Sequence, residues 1–188
     1  MKAIQSLRRG VPVVLSGLLG ALLLSACAGG VYPLRATDLE PMRTHDILGQ
    51  RLCRFPPFTL IDRRSDKTMG LNPRGRSFEF PELETWMRIL LQNTATRDGG
   101  LATIQIEILR ARVSEKREAS QLQMALRVRR RINNAPAVHS YRATAIGSSR
   151  WKHSAQLIHP LRETAQTIVR AVVVGEGTCS DRAPAASR

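Results

Sequence analysis

The run SQLQMALRVRRRI, residues 120–132, constrains this chain more than any other stretch. Leu122, Met124, Leu126 and Val128 alternate with Gln121, Gln123, Arg127, Arg129 and Arg131. Successive side chains of a strand point to opposite faces, whereas a helix would scatter these residues around its circumference. The period of two therefore dictates a strand with one dry and one wet face. Such a strand needs partners on its edges and an apolar layer over the dry face alone.

Neighbouring segments supply the partners. Ile104, Ile106 and Ile108 alternate with Thr103, Gln105 and Glu107, after which the phase slips, because Leu109, Ala111 and Val113 take the opposite parity. A bulge near 108–110 reconciles the two halves. SEKREAS and Asn133-Asn134-Ala135-Pro136 are turns, and residues 137–147 form a further strand with Tyr141, Ala143 and Ala145 on one face. Those small residues allow a helix to lie close. RLCRFPPFTLID is a strand that carries Phe58, Leu60 and Cys53 on one side and that Pro56 and Pro57 restrict to an edge or a bulge; RRSDKTMGLNPRG follows as turn and loop.

Two helices supply the covering layer. In residues 81–100, Leu83, Trp86, Met87, Leu90, Leu91 and Thr94 share one face, with Pro81 at the start and Gly99 or Gly100 to terminate. The second starts at Pro160, ends at Gly175 and turns Leu161, Ala165, Ile168, Val169 and Val172 inward. Residues 27–48 mix Gly, Pro and charge without period and read as a flexible tether; the domain is expected over 49–179, with a disordered tail at 180–188. The expected fold class is α+β, a two-layer sandwich of a mainly antiparallel sheet with two helices packed on one face.

The chain begins with Lys2, Arg8 and Arg9, then runs almost uncharged from Val11 to Ala26, with no acidic residue before Asp38. That layout is a secretory signal peptide, and Pro12, Gly17 and Gly20 in so short a run argue against a permanent span. Leu24-Ser25-Ala26-Cys27 resembles the bacterial lipobox, in which the cysteine takes diacylglycerol as a thioether and becomes the new N-terminus. The resemblance implies a lipid anchor at Cys27, and Ala28 in place of Asp implies the outer membrane, with the domain facing the periplasm. Several acyl chains, each methylene contributing about 0.8 kcal/mol, would hold the protein durably. Loss of residues 1–26 leaves 162 residues with a formal charge of +11, which calls for anionic neighbours. Outside the cytoplasm those are lipid head groups, lipopolysaccharide or acidic proteins, and not nucleic acid. In that oxidising compartment Cys53 and Cys179 read as a disulfide, two unpaired thiols being the alternative.

Lipobox, FTLIDRRSDKTMG as a strand running into an Asp-and-Arg turn, amphipathic helix, three-strand meander and closing Ala/Val-rich helix together resemble the YajG-type lipoproteins. A weaker similarity of element order extends to the lipopolysaccharide-assembly lipoprotein. Neither carries a catalytic role onto any position here.

Arg127, Arg129 and Arg131 share a strand face with roughly 6 to 7 Å between neighbours, and Arg142 joins them if Tyr141 points inward. Guanidinium forks so spaced grip phosphates or carboxylates; the plainer reading is a solvated face that discourages unwanted pairing. His139, His153 and His159 have no metal-ligand spacing, and no nucleophile motif is present, so neither metal, cofactor nor enzymatic activity is expected. Asp62 and Asp66 beside Arg63 and Arg64 suit turn hydrogen bonding. The leading expectation is a non-catalytic outer-membrane lipoprotein binding another envelope protein as adaptor or assembly factor. The alternative is a binder of lipopolysaccharide or anionic lipid through the basic strand face.

Overall fold

The computed structural model describes residues 30–39, 42–43, 47–49, 51–98, 103–116, 119–132 and 135–181. Residues 1–26, expected to be a signal peptide, and Cys27 lie outside them. Among the described residues ten strands and two α-helices follow one another as β1 (Val31–Pro33), β2 (Arg51–Phe55), β3 (Phe58–Asp62), β4 (Thr68–Leu71), β5 (Ser77–Glu79), α1 (Leu83–Thr94), β6 (Thr96–Arg97), β7 (Ile104–Lys116), β8 (Ala119–Ile132), β9 (Ala135–Ile146), α2 (Ala155–Glu176) and β10 (Thr178–Asp181).

The alternating run is β8, central in a four-stranded sheet of order β3-β7-β8-β9, antiparallel except for the β3–β7 pair. Leu122, Met124, Leu126 and Val128 are buried, as are Ile104, Ile106 and Ile108 on β7 and Ala143 and Ala145 on β9. The register of β7 against β8 shifts between Ile108 and Arg110, the expected bulge, and it returns Ala111 and Val113 to the core. α2 packs on β8 and β9, while α1 packs on β3 and α2. Both helices thus cover one face of the sheet, the α+β two-layer arrangement that the pattern predicts. At Gly175 a side chain would stand 2.5 Å from the Tyr141 hydroxyl, so this glycine sets how closely α2 approaches β9.

Several boundaries differ from expectation. The stretch expected as a tether folds from Val31 onward: β1 pairs in parallel with β5, and Leu34, Leu39, Met42, Ile47 and Leu48 are buried. These residues fill the rim of the core without any helical or strand period, so no pattern announced them. Pro56 and Pro57 split the first strand region in two: β3 becomes the edge of the main sheet, whereas β2 joins a separate sheet of order β10-β2-β6. A third sheet, β1-β5-β4, occupies what read as loop. α1 stops at Thr94, whose Oγ1 donates to the Leu90 carbonyl, because Ala95 turns extended and Thr96–Arg97 pair with β2. Gly99 and Gly100 lie outside the described residues. α2 starts at Ala155, before Pro160, and brings Leu157 into the core. Ser180 and Asp181, expected in a disordered tail, extend β10 along β2. Cys53 and Cys179 face each other across that pair and are joined as a disulfide spanning 126 residues. The staple therefore ties strand to strand, three residues beyond the last residue of α2.

Candidate functional site: an arginine-rich sheet face

Parity on β8 sends every second side chain away from the helices, and register then decides what stands beside it. Gln105 and Arg129 pair across β7 and β8, as do Glu107 and Arg127, while Ala125 has Arg110 on one side and Arg142 on the other. Arg127, Arg129, Arg131 and Arg142 therefore share the uncovered face, as the sequence predicts. The bulge adds Arg110 and Arg112 to it, and Arg63 reaches it from the end of β3. Seven arginines thus share this face, three of them against Glu107, with Asp66 at the margin beside Arg110 and Arg112.

Glu107 divides the set. Only 4 % exposed although it lies on the outer face, it accepts from Arg129 Nε at 3.2 Å and from Gln105 Nε2 at 3.2 Å, with Arg127 and Arg63 each at 3.6 Å. Arg127 and Arg129 are thereby held in place, and one of the face's charges is neutralised. Arg110, Arg112, Arg131 and Arg142 form no ion pair among the described residues. Over Ala125 lies a hollow of about 380 Å³, ringed by Arg110, Arg127 and Arg142 and by Gln123, Ser140 and Thr144. Arg110 and Arg142 stand across three strands, roughly 10 Å apart at the backbone, with long side chains able to close on one anion. Three guanidinium forks, one amide and two hydroxyls over a small residue are the kinds of donor that a phosphate-bearing group requires. Sequence reading missed Arg63, Arg110 and Arg112, although the phase slip at 108–110 already placed the last two opposite the core.

A second charged cluster lies on the covered face. Glu176, its side chain fully buried at the end of α2, accepts from the Tyr141 hydroxyl at 2.6 Å, contacts His139 Nδ1 at 2.6 Å and lies 3.3 Å from Arg130 Nη1. Burial first, and then the bond to Glu176, raise the Tyr141 pKa, so this hydroxyl stays a proton donor. His139 is partly exposed, but among the described residues no hydroxyl or thiol bonds to it, and neither it nor Glu176 borders the hollow over Ala125. The cluster positions α2 against β8 and β9. His153 and His159 are exposed on or before the first turns of α2, and among the described residues no three His, Cys, Asp or Glu side chains gather as a metal site.

The Asp62–Arg64 turn is a third cluster. Both side chains are nearly fully buried, joined at 2.8 Å, and Arg64 donates onward to the Phe80 carbonyl at 3.0 Å. Burial alone would raise the Asp62 pKa, but hydrogen bonds from Arg64 and Lys67 outweigh it and hold the carboxyl at about 2. The turn thereby locks β3 to the start of α1.

Two other hollows flank the sheet. One, of about 490 Å³, lies between the Phe55–Phe58 bend and the end of α1, with Arg97 at its rim. The other, of about 510 Å³, lies at the sheet end among Arg129, Arg130, Arg131 and Val138. No helix among the described residues is long and apolar enough to cross a membrane.

No family model matches the chain, and no curated protein is similar to it. It is similar to a solved structure described only as an uncharacterized protein, at 5 % identity and a TM-score of 0.47, over 78 % of this chain and 98 % of that one.

Proposed function

We propose that this chain is a non-catalytic envelope lipoprotein, of the YajG-type resemblance, anchored at Cys27 to the outer membrane, whose arginine-rich sheet face binds phosphate-bearing lipid head groups. One observation carries the reading: a sheet face left uncovered by both helices gathers seven arginines, four of them without an ion pair among the described residues, and three of the seven ring a hollow floored by Ala125. A solvated surface needs no such concentration of one charge, and isolated like charges repel. The basic, apolar and small-residue order before Cys27 supports export and acylation.

Binding to vesicles is the test. Vesicles of neutral phosphatidylcholine, of phosphatidylcholine with phosphatidylglycerol, and of phosphatidylcholine with lipopolysaccharide separate no anion, an anionic phospholipid and a phosphorylated glycolipid. The unlipidated chain is expected to bind the last two, to lose affinity steeply between 50 and 200 mM salt, and to lose most binding in Arg110→Glu/Arg142→Glu. Retention of binding in that variant removes the reading.

A second reading, docking of another envelope protein, is favoured by β9. This strand is twelve residues long, carries Val138 and Ile146 exposed, and has β8 as its sole strand partner among the described residues. An open edge of that length takes an added strand. Capture of a protein partner that persists after the arginine reversal supports this reading over the first.

A further inference from the structure

The small sheet β1-β5-β4 begins at Val31, four residues after Cys27 in the sequence. Val31, first in β1, Ser77, first in β5, and Leu71, last in β4, form one row across it. Val31 is 48 % and Leu71 57 % exposed in that row, whereas the next row turns Phe78 into the core. The hairpin between Leu71 and Ser77 presents Pro73, Arg74 and Arg76, all exposed. Asn72 braces it: its Oδ1 accepts from the Arg74 and Arg76 amides at 2.9 Å each, and its Nδ2 donates to the Lys152 carbonyl at 2.7 Å. Lys152 therefore stands at the same end. Arg76 also donates to the Tyr32 hydroxyl at 3.1 Å and lies 5.5 Å from the centre of that ring, which ties the hairpin to the strand that follows Cys27.

Only Ala28, Gly29 and Gly30 separate Cys27 from Val31, a reach of roughly 14 Å when fully extended. An acylated Cys27 therefore holds the start of β1 within about 14 Å of the head-group layer. We infer that this end of the domain is its membrane contact: Val31, Leu71 and Pro73 enter the head-group layer of an anionic bilayer while Arg74, Arg76 and Lys152 meet its phosphates. The orientation rests on the lipoprotein reading above and deepens it. β4 borders the bulge of β7, sharing a hollow of about 410 Å³ with Arg110 and Arg112, so the arginine face begins beside the contact.

Two measurements separate the two claims. In the first, the mature protein sits in vesicles of phosphatidylethanolamine and phosphatidylglycerol with an environment-sensitive dye on Leu71→Cys or, as control, on Gln92→Cys of α1. Emission at 71 is expected to shift to the blue and to be quenched by spin-labelled lipid several-fold more than at 92; equal quenching overturns the inference. The mass of the N-terminal peptide read alongside reports acylation, and its absence sinks the anchor alone. The second measurement uses the Cys27→Ser chain carrying Arg110→Glu and Arg142→Glu, so that no acyl chain contributes and the hollow of the sheet face is reversed in charge. Adding Arg74→Glu and Arg76→Glu is expected to reduce partitioning into the same vesicles by about tenfold or more. Unchanged partitioning overturns the contact whether or not Cys27 carries lipid.

Discussion

Glu107→Gln tests the arginine face with a sign that a merely solvated surface would not show. Glutamine keeps the side chain's size and can still accept from Gln105, but it deletes the carboxylate that holds Arg127 and Arg129. Glu107 is directly opposite Arg127, and Ala125 lies two residues along β8. Strand spacings of about 4.8 Å across and 6.8 Å along therefore place the carboxylate about 8 Å from the hollow. Two unit charges at that distance interact by about 2 kcal/mol at an effective dielectric of 20 and about 0.5 kcal/mol in water. A middle value of about 1 kcal/mol makes binding of a phosphate about fivefold tighter in the variant. Salt at 0.15 M has a screening length of about 8 Å, so the gain is read best at low ionic strength.

The fold should tolerate the change, because Arg63, Arg127 and Arg129 keep 55, 37 and 48 % of their side-chain surface in water. The assay is titration of the unlipidated chain with anionic vesicles at two salt concentrations, with urea unfolding as control. Tighter binding at low salt, converging with the parent at high salt, is the expected outcome. Weaker or unchanged binding in a variant of parental stability would refute the claim that Glu107 competes with an external anion for these guanidiniums.

Other perturbations address the scaffold. Glu176→Ala leaves the Arg130 guanidinium and Tyr141 hydroxyl without their buried partner and is expected to cost about 3 kcal/mol or more in urea unfolding, with Glu176→Gln costing less because an acceptor for Tyr141 remains. Asp62, held at about 2 against an ordinary 3.8, contributes stability that is fully present above the unfolded value and is lost as pH falls toward the folded one. That contribution is on the order of 2 kcal/mol, so melting between pH 5 and 2 should fall more steeply for the parent than for Asp62→Asn. Gly70→Ala should destabilise strongly in thermal unfolding, since Gly70 has φ of +125° and a Cβ there would lie 2.4 Å from the Val113 carbonyl oxygen. Reduction of the disulfide, or Cys53→Ala with Cys179→Ala, is expected to lower stability by about 2–5 kcal/mol in denaturant titration.

The main sheet was legible because its strands are half-buried: period two in 104–108 and 121–131 states which residues face the helices, and a single slip of parity locates the bulge. α1 was legible for the same reason at period 3.6. What escaped lacks period. β4 has four residues with Gly70 among them, and β1 has three, so each is defined by a partner and not by its own pattern. Leu34, Leu39, Met42, Ile47 and Leu48 are buried at irregular spacing, which in sequence is indistinguishable from a tether. The candidate site was legible along one strand only. Arg127, Arg129 and Arg131 declare themselves by parity, but that Glu107 lies against two of them, and that Arg110 and Arg142 flank Ala125, depends on the registers of β7–β8 and β8–β9.

Those registers are fixed by the opposite face, and this links the core to the site. Slipping β9 by one residue against β8 would turn Ala143 and Ala145 outward and drive Arg142 and Thr144 beneath α2, where a buried unpaired guanidinium costs several kcal/mol. Tyr141, bonded to Glu176 beside Gly175, pins the same register from below. The distance between Arg110 and Arg142 is therefore set by contacts that no ligand touches. A change confined to the covered face, such as Ala143→Leu, should alter anion affinity by displacing β9 from α2, whereas Thr144→Val, one residue away and facing outward, should remove a hydroxyl from the hollow and leave stability unaffected. If Ala143→Leu instead loses stability while its anion affinity stays at the parental value, the helix layer does not hold the hollow and the two faces of the sheet are not coupled.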